Sequence, residues 1–155
     1  MVGTAGPAAA GTGPWRIWPQ SDPSLCLQSG GASGRDITVQ PCSGSAAQRF
    51  FFRDSPDGPT WQLITDDWGL CTNIKGGVYA NNTHVISYKC GAGPNDQWYP
   101  EIWTTTSPNY YSIMDKAGPT MGWNVSGAVT KAGAPLVIYG FKPSYKNSLF
   151  SWRTF

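Results

Sequence analysis

Apolar positions along the chain fall in short runs that alternate with polar ones and are broken by turn residues. Trp15-Arg16-Ile17, Ile37-Thr38-Val39-Gln40, Trp61-Gln62-Leu63, Val85-Ile86-Ser87-Tyr88, Tyr111-Ser112-Ile113 and Leu136-Val137-Ile138-Tyr139 read as strands. Turn signals stand between them: Ser29-Gly30-Gly31, Asp57-Gly58-Pro59, Lys75-Gly76-Gly77, Gly91-Ala92-Gly93-Pro94 and Lys116-Ala117-Gly118-Pro119. With 19 Gly and 13 Pro, no stretch offers a long helix.

The strands recur in a fixed order. Cys26 and Cys42 are 16 residues apart, and Cys71 and Cys90 are 19 apart. About ten residues before each first Cys stands an aromatic-led strand, led by Trp15 and Trp61. An alternating strand begins five residues before each second Cys, and an aromatic, Phe50 or Trp98, follows eight residues after it. The template fits a third time without cysteines: Gly122 and Phe141 take the Cys positions, again 19 apart, and Phe150 closes. Repeats of roughly 15–53, 61–101 and 110–155 predict an all-β domain with almost no helix. One repeat cannot bury its own apolar face, so three would share a core in a closed barrel with pseudo-threefold symmetry. An immunoglobulin-like sandwich or a propeller fragment is the alternative; three repeats argue against seven strands around one Cys–Trp–Cys core.

Composition sharpens this. The 155 residues amount to one domain. Charged residues are only 13% and aromatics 14%, which suits a compact β domain or a ring-stacking surface and not a disordered chain. Net charge is +2, and the basic residues are scattered without a stripe, so nucleic-acid binding is not expected. No run approaches the length of a membrane helix, so no membrane insertion is expected. Met1–Pro14 is mostly Gly, Ala, Pro and Thr and lacks the basic start of a signal peptide. It reads as a flexible linker to a longer protein, or as a natural disordered terminus. Four Cys, none in a CxxC pair, argue against a metal site. Two disulfides are the better reading and imply an oxidising, extracellular or cell-surface setting; four buried thiols are the alternative.

Cys26-Leu27-Gln28, Val39-Gln40-Pro41-Cys42 and Gln48-Arg49-Phe50 resemble the ricin-B repeat of Cys-Leu-Asp, a strand ending in Cys, and Gln-x-Trp. Cys71-Thr72-Asn73, Tyr88-Lys89-Cys90 and Asn95-Asp96-Gln97-Trp98 resemble it again. Gly122-Trp123-Asn124-Val125, Tyr139-Gly140-Phe141 and Asn147-Ser148-Leu149-Phe150 resemble it more faintly. The resemblance covers nearly everything after Pro14 and implies a β-trefoil with carbohydrate binding. It implies disulfides Cys26–Cys42 and Cys71–Cys90, a structural Gln48, and core roles for Phe50, Trp98 and Phe150. Function follows less firmly than fold, because trefoils host many roles.

A ricin-type sugar site uses a polar side chain two residues after the first Cys, an aromatic two residues before the second, and an Asn near the closing motif. The ring stacks on the apolar face of a pyranose while the polar groups read its rim. The resemblance carries these roles to Asn73, Tyr88 and Asn95 in the second repeat and to Asn124, Tyr139 and Asn147 in the third. The first repeat has Gln28, but Gln40 replaces the aromatic and Ala47 the Asn, so it is expected to be dead or much altered. The family's acceptor is usually Asp, whose hydrogen bonds are roughly twice as strong as those of a neutral amide. Each site is therefore expected to be weak, with avidity on a polymer offsetting this.

Enzyme chemistry finds no support. His84 is the only histidine and reads as a loop residue, Asp66-Asp67 as a turn, and Glu101 is the only Glu. No catalytic triad, phosphate loop or cofactor motif is present. Asn81-Asn82-Thr83 and Asn124-Val125-Ser126 match the glycosylation pattern, and a glycan on Asn124 would block its site. The leading expectation is a non-enzymatic glycan-binding module, a piece of a larger secreted or surface protein, that contacts polysaccharide and another domain or subunit. A protein-contact trefoil, such as a toxin delivery subunit or protease inhibitor, would show an exposed cluster among Trp18, Trp68, Trp103 and Trp123. The third alternative is the sensor domain of a bacterial regulator.

Overall fold

A computed structural model describes residues 12–91 and 93–155. Among these residues thirteen strands run in order: β1 Thr12–Pro19, β2 Leu25–Gln28, β3 Arg35–Asp36, β4 Thr38–Pro41, β5 Phe50–Ser55, β6 Gly58–Asp66, β7 Cys71–Ile74, β8 Thr83–Tyr88, β9 Trp98–Thr104, β10 Tyr110–Asp115, β11 Met121–Val125, β12 Leu136–Gly140 and β13 Phe150–Thr154. The helical content among these residues is four three-residue 3-10 turns, as the turn-rich sequence predicts. Two expected boundaries shift. The strand led by Trp15 begins at Thr12, inside the expected linker, whose residues 1–11 lie outside the described ones. The Asp57-Gly58-Pro59 turn is tighter than expected, because Ser55 pairs with Gly58 and β6 starts there.

Six strands close into a barrel. β1 pairs with β5, β5 with β6, β6 with β9, β9 with β10, β10 with β13, and β13 with β1, all antiparallel. Closure leaves these strands without a free edge. Three strand pairs lie beside this barrel: β2–β4, β7–β8 and β11–β12. They join one another in a ring. Arg35 and Asp36 pair with Ser87 and Ile86, Thr83 and His84 with Ile138 and Val137, and Thr38 bridges Pro135.

The alternating residues of the strands fill the centre. Ile17, Phe50, Phe52, Ile64, Trp98, Ile113 and Phe150 come from the barrel, and Leu27, Val39, Ile74, Val85, Trp123, Val125 and Leu136 from the three pairs. Phe50, Trp98 and Phe150 are fully buried, as the resemblance implies. Trp123 is buried too, edge-on to Trp98 at 5.5 Å and to Phe150 at 5.7 Å. Trp18 is also buried, while Trp68 and Trp103 are exposed, so the four tryptophans form no common exposed cluster.

Both implied disulfides are present, Cys26–Cys42 and Cys71–Cys90, and the described residues contain no free cysteine. The third pair is held differently. A Cβ on Gly122 would stand 2.9 Å from the Ile113 carbonyl oxygen, so β11 lies against β10 at a distance only glycine permits. Gln48 is structural as implied: its amide nitrogen donates to the Pro41 carbonyl at 3.0 Å, and its Oε1 accepts from the Ser43 N–H at 2.9 Å.

Two readings of charged residues are corrected. His84 lies on β8 rather than in a loop, where its ring nitrogen meets the Asp36 carboxylate at 3.0 Å. The basic residues are scattered along the sequence but not all in space. Strand pairing sets Arg16 opposite Arg153, and Arg49 lies just before β5 beside the Trp15–Phe50 pair. No helix among the described residues is long and apolar enough to cross a membrane. No group of three or more His, Cys, Asp or Glu side chains gathers there as a metal site.

Candidate sugar sites

The three strand pairs share one register. Cys26 faces Gln40, Cys71 faces Tyr88, and Gly122 faces Tyr139. Gln28 faces Thr38, Asn73 faces Ile86, and Asn124 faces Val137. A one-residue slip would turn each side chain to the other face, so the apolar alternation of these strands fixes where the aromatic and the amide project. Each pair is followed by a 3-10 turn, at residues 46–48, 94–96 and 146–148.

In the third pair the expected residues meet. The Asn147 amide nitrogen donates to Asn124 Oδ1 at 3.3 Å, to the Val125 carbonyl at 2.9 Å and to the Gly127 carbonyl at 3.3 Å. The Asn124 amide nitrogen donates to Ser148 Oγ at 2.6 Å. Asn124 is 6% exposed, so its amide is spoken for on both ends and serves mainly to orient Asn147. Asn147 has spent its N–H groups, so the group it has left for a ligand is its carbonyl oxygen. The same burial leaves Asn124 in no position to carry a glycan.

A cavity of about 440 Å³ opens here, lined by Asn82, Asn124, Gly127, Ala128, Tyr139, Tyr145 and Asn147. That is within the ordinary size of small-molecule sites. Tyr139 and Tyr145 stand with ring centres 6.5 Å apart and planes at 62°, two walls of a corner. Lys142 Nζ lies 5.7 Å from the Tyr145 ring. The sequence reading missed Tyr145 and Asn82. Tyr145 has a local signal, since it immediately precedes the turn that carries Asn147. Asn82 has none, because it comes from the loop before β8. Its backbone is left-handed, φ 71°, which Asn tolerates better than most residues. The loop is pinned to β12 by the Asn82 N–H on the Ile138 carbonyl at 2.9 Å and by Asn81 Oδ1 accepting from the Gly140 N–H at 2.8 Å.

The second pair repeats the polar half of this arrangement. The Asn95 amide nitrogen donates to Asn73 Oδ1 at 3.2 Å, and Asn73 is 6% exposed. Tyr88 is 48% exposed, and no second ring stands beside it among the described residues. Gly93 holds the position before the turn that Tyr145 holds in the third pair.

The first pair lacks an aromatic at the position of Tyr88 and Tyr139, where Gln40 stands. A shallow cavity of about 490 Å³ is lined by Gln28, Ser29, Gly30, Gly34, Arg35, Asp36, Thr38 and Lys75, and no aromatic side chain is among them. Gln48 donates to Gln28 Oε1 at 3.2 Å, so even its acceptor is partly occupied.

Buried carboxylates flank the strand pairs. Asp66, at the end of β6, accepts from the Trp68 and Leu70 N–H groups at 2.9 Å and from Ser29 Oγ at 2.6 Å. Asp115, at the end of β10, accepts through Oδ1 from the Ala117 and Gly118 N–H groups at 2.7 Å, but its Oδ2 reaches no partner. Burial pushes the Asp115 carboxyl up to about 6, against the two backbone hydrogen bonds that lower it. Exposed Asp57 shifts the other way, lowered by its hydrogen bond from Lys116.

Residues 66–139 match the family model described as ricin-type beta-trefoil lectin domain-like. No curated protein matches the sequence. The fold is similar to that of ThreeFoil, a designed 3-fold symmetric protein, with TM-score 0.77 and 17% identity over 91% of this chain and 98% of that one. It is also similar to the Macrolepiota procera ricin B-like lectin, solved with lactose, with TM-score 0.72 and 15% identity over 96% and 99%. The Polyporus squamosus lectin, solved with a sialylated trisaccharide epitope, gives TM-score 0.75 and 10% identity, and here the chain spans 90% of its own length but 48% of the lectin's. The chain spans only 17% to 31% of three longer toxin and glycosidase chains. The chain is thus an all-β barrel protein similar to the ricin-type β-trefoil lectins, in sequence over residues 66–139 and in fold over about nine-tenths of its length.

Proposed function

We propose that the chain is a non-enzymatic carbohydrate-binding module built from three copies of one unit, with its principal sugar site in the third. The observation that carries this is the corner of Tyr139 and Tyr145 over the Asn124–Asn147 pair in a cavity of about 440 Å³. One ring takes the apolar face of a pyranose, the second closes its flank, and the Asn147 carbonyl accepts from a ring hydroxyl. Tyr88, Asn73 and Asn95 form a second, weaker site. Two sites on one rigid barrel favour a polymer over a free monosaccharide. Two disulfides suit an extracellular or cell-surface setting, and the longer chains among the similar structures suit a module of a larger protein. Glycans or polysaccharide are its partners on this reading, together with a neighbouring domain or subunit. The protein-contact alternative has less support, because Trp18 and Trp123 are buried.

A glycan array followed by titration of each hit tests the reading. Wild type is expected to bind one class of glycan with weak affinity, and Tyr139→Ala to remove most of the signal without unfolding the chain. An array without hits, or a signal that survives Tyr139→Ala with Tyr88→Ala, would overturn it.

A further inference from the structure

Arg49, Arg16 and Arg153 stand abreast on one outer face of the barrel. Arg153 is directly opposite Arg16, and Trp15 pairs with Phe50, which brings Arg49 to the other side of Arg16. Neighbouring strands are about 4.8 Å apart, so the row spans roughly 10 Å. Like charges opposite one another across strands destabilise a sheet. No carboxylate side chain among the described residues is paired with them. The ion pairs among the described residues are His84–Asp36 and Lys116–Asp57, and neither touches this face. The Nε atoms of Arg16 and Arg49 are buried and reach no acceptor. The chain carries nine carboxylate side chains to eleven Lys and Arg, so acids were available to neutralise the row.

The three guanidinium groups are held instead by rings. Arg16 and Arg49 lie 5.0 and 5.4 Å from the centre of the Phe155 ring, and Arg153 lies 5.5 Å from that of Trp18. Such stacking fixes a guanidinium while leaving its N–H fork unspent. We propose that this row is a binding site for an acidic polysaccharide carrying sulfate esters. Each planar fork suits two oxygens of one oxyanion. Three forks at strand spacing in a row, Arg153 exposed and Arg16 and Arg49 half-buried, suit a chain of regularly placed anions better than one small ion, which would want an enclosing pocket. The row shares no residue with the third-pair cavity or with Asn73, Tyr88 and Asn95, and it stands whether or not the tyrosine corner binds sugar. A net charge of +2 gives no general attraction to polyanions, so any such binding is local to the row.

The test is retention on immobilised dextran sulfate, with neutral dextran as the blank, eluted by a salt gradient. Wild type is expected to be retained and to elute at several-fold higher salt than the triple variant Arg16→Gln, Arg49→Gln, Arg153→Gln. A charge-matched variant of exposed lysines, Lys89→Gln, Lys131→Gln, Lys146→Gln, should elute close to wild type. If the triple arginine variant fails to fold by circular dichroism, Arg153→Gln alone replaces it, since that side chain is exposed at a strand end, and it should elute measurably earlier than wild type. No retention of wild type, equal losses in both triple variants, or an unmoved Arg153→Gln would each overturn the proposal. Tighter retention on single-stranded DNA than on dextran sulfate would assign the row to nucleic acid and overturn it too.

Discussion

The second and third strand pairs carry the same amides in the same register, yet they are built to different ends. The second is clamped covalently by Cys71–Cys90 and leaves Tyr88 standing open to solvent. The third has Gly122 pressed against β10 in place of a half-cystine, and its Tyr139 is half-buried beside Tyr145. The aspartate that ends the leading strand differs as well. Asp66 has both carboxylate oxygens bonded, whereas Asp115 has one left without a partner. Ser29 supplies the bond to Asp66 three residues after Cys26, and the residue three after Cys71 is Ile74, which has nothing to donate. On the proposed reading, the second pair is the covalently clamped one and the third is the principal binder.

The largest effect should come from the staple. Replacing Cys71 and Cys90 together by Ala removes a crosslink whose loop is worth about 3 kcal/mol in chain-entropy models. Urea unfolding should show that loss in the midpoint. Sugar binding at the third cavity, measured well below the new midpoint, should stay within about twofold of wild type. A parallel loss of binding would mean that the two pairs are not separable.

Asp115 gives the next effect, and its sign is opposite to that of a paired carboxylate. Its folded value of about 6 lies above the ordinary aspartate value of 3.8, so the folded state holds the proton more tightly than the unfolded chain does. The fold carries no penalty below pH 4, acquires it as pH rises from about 4 to 6, and carries all of it above. At 1.36 kcal/mol per pH unit, that penalty is up to about 3 kcal/mol. Stability from urea titrations should therefore rise on acidification from pH 7 to 5. Asp115→Asn should flatten that rise, and an unchanged profile would remove Asp115 as its cause. The new amide N–H has no partner either, so the variant's stability at pH 7 should improve by less than the full penalty.

Much of the barrel was legible because it rests on local chemistry that repeats. Alternating strands, turn residues and the closing aromatics Phe50, Trp98 and Phe150 each declare themselves within a few residues. The amide–amide contacts of Asn73 with Asn95 and of Asn124 with Asn147 were reachable by analogy of spacing. What stayed hidden was made by pairing between distant strands. Arg16 and Arg153 are far apart in sequence and adjacent in space, so a charge count along the chain could not find the row. Asn82 reaches the third cavity from the loop before β8, and no spacing rule within one repeat looks there. His84 was misread because an isolated polar residue gives no strand signal until its partner Val137 is known.

The platforms come third. Tyr139→Ala should weaken glycan binding by roughly 30-fold, about 2 kcal/mol, which is the scale of a buried aromatic anchor. Tyr88→Ala should weaken it by a few fold at most, since an open ring loses less when removed. Isothermal titration of the two variants against the same oligosaccharide separates them. Equal effects would erase the distinction between the two pairs.

The smallest effect is the most direct trial of the comparison, because it moves one side chain between the two sites. Tyr145→Gly strips the second wall from the third cavity and should leave it binding like the second, weaker by about 1 kcal/mol, or roughly fivefold. The reciprocal change, Gly93→Tyr, should build that wall beside Tyr88. Gly93 has φ −82°, a backbone open to any residue, so the substitution brings no backbone strain. A Cβ there would sit 3.0 Å from Asn95 Oδ1, so the Asn95 side chain must yield by a few tenths of an ångström. That shift limits the gain to a few fold and makes Asn95 the residue to watch. If Gly93→Tyr strengthens binding and Tyr145→Gly weakens it, the residue before the turn sets the affinity of each pair. If Gly93→Tyr does nothing while Tyr145→Gly still weakens binding, the loop carrying Asn82 is what the second site lacks.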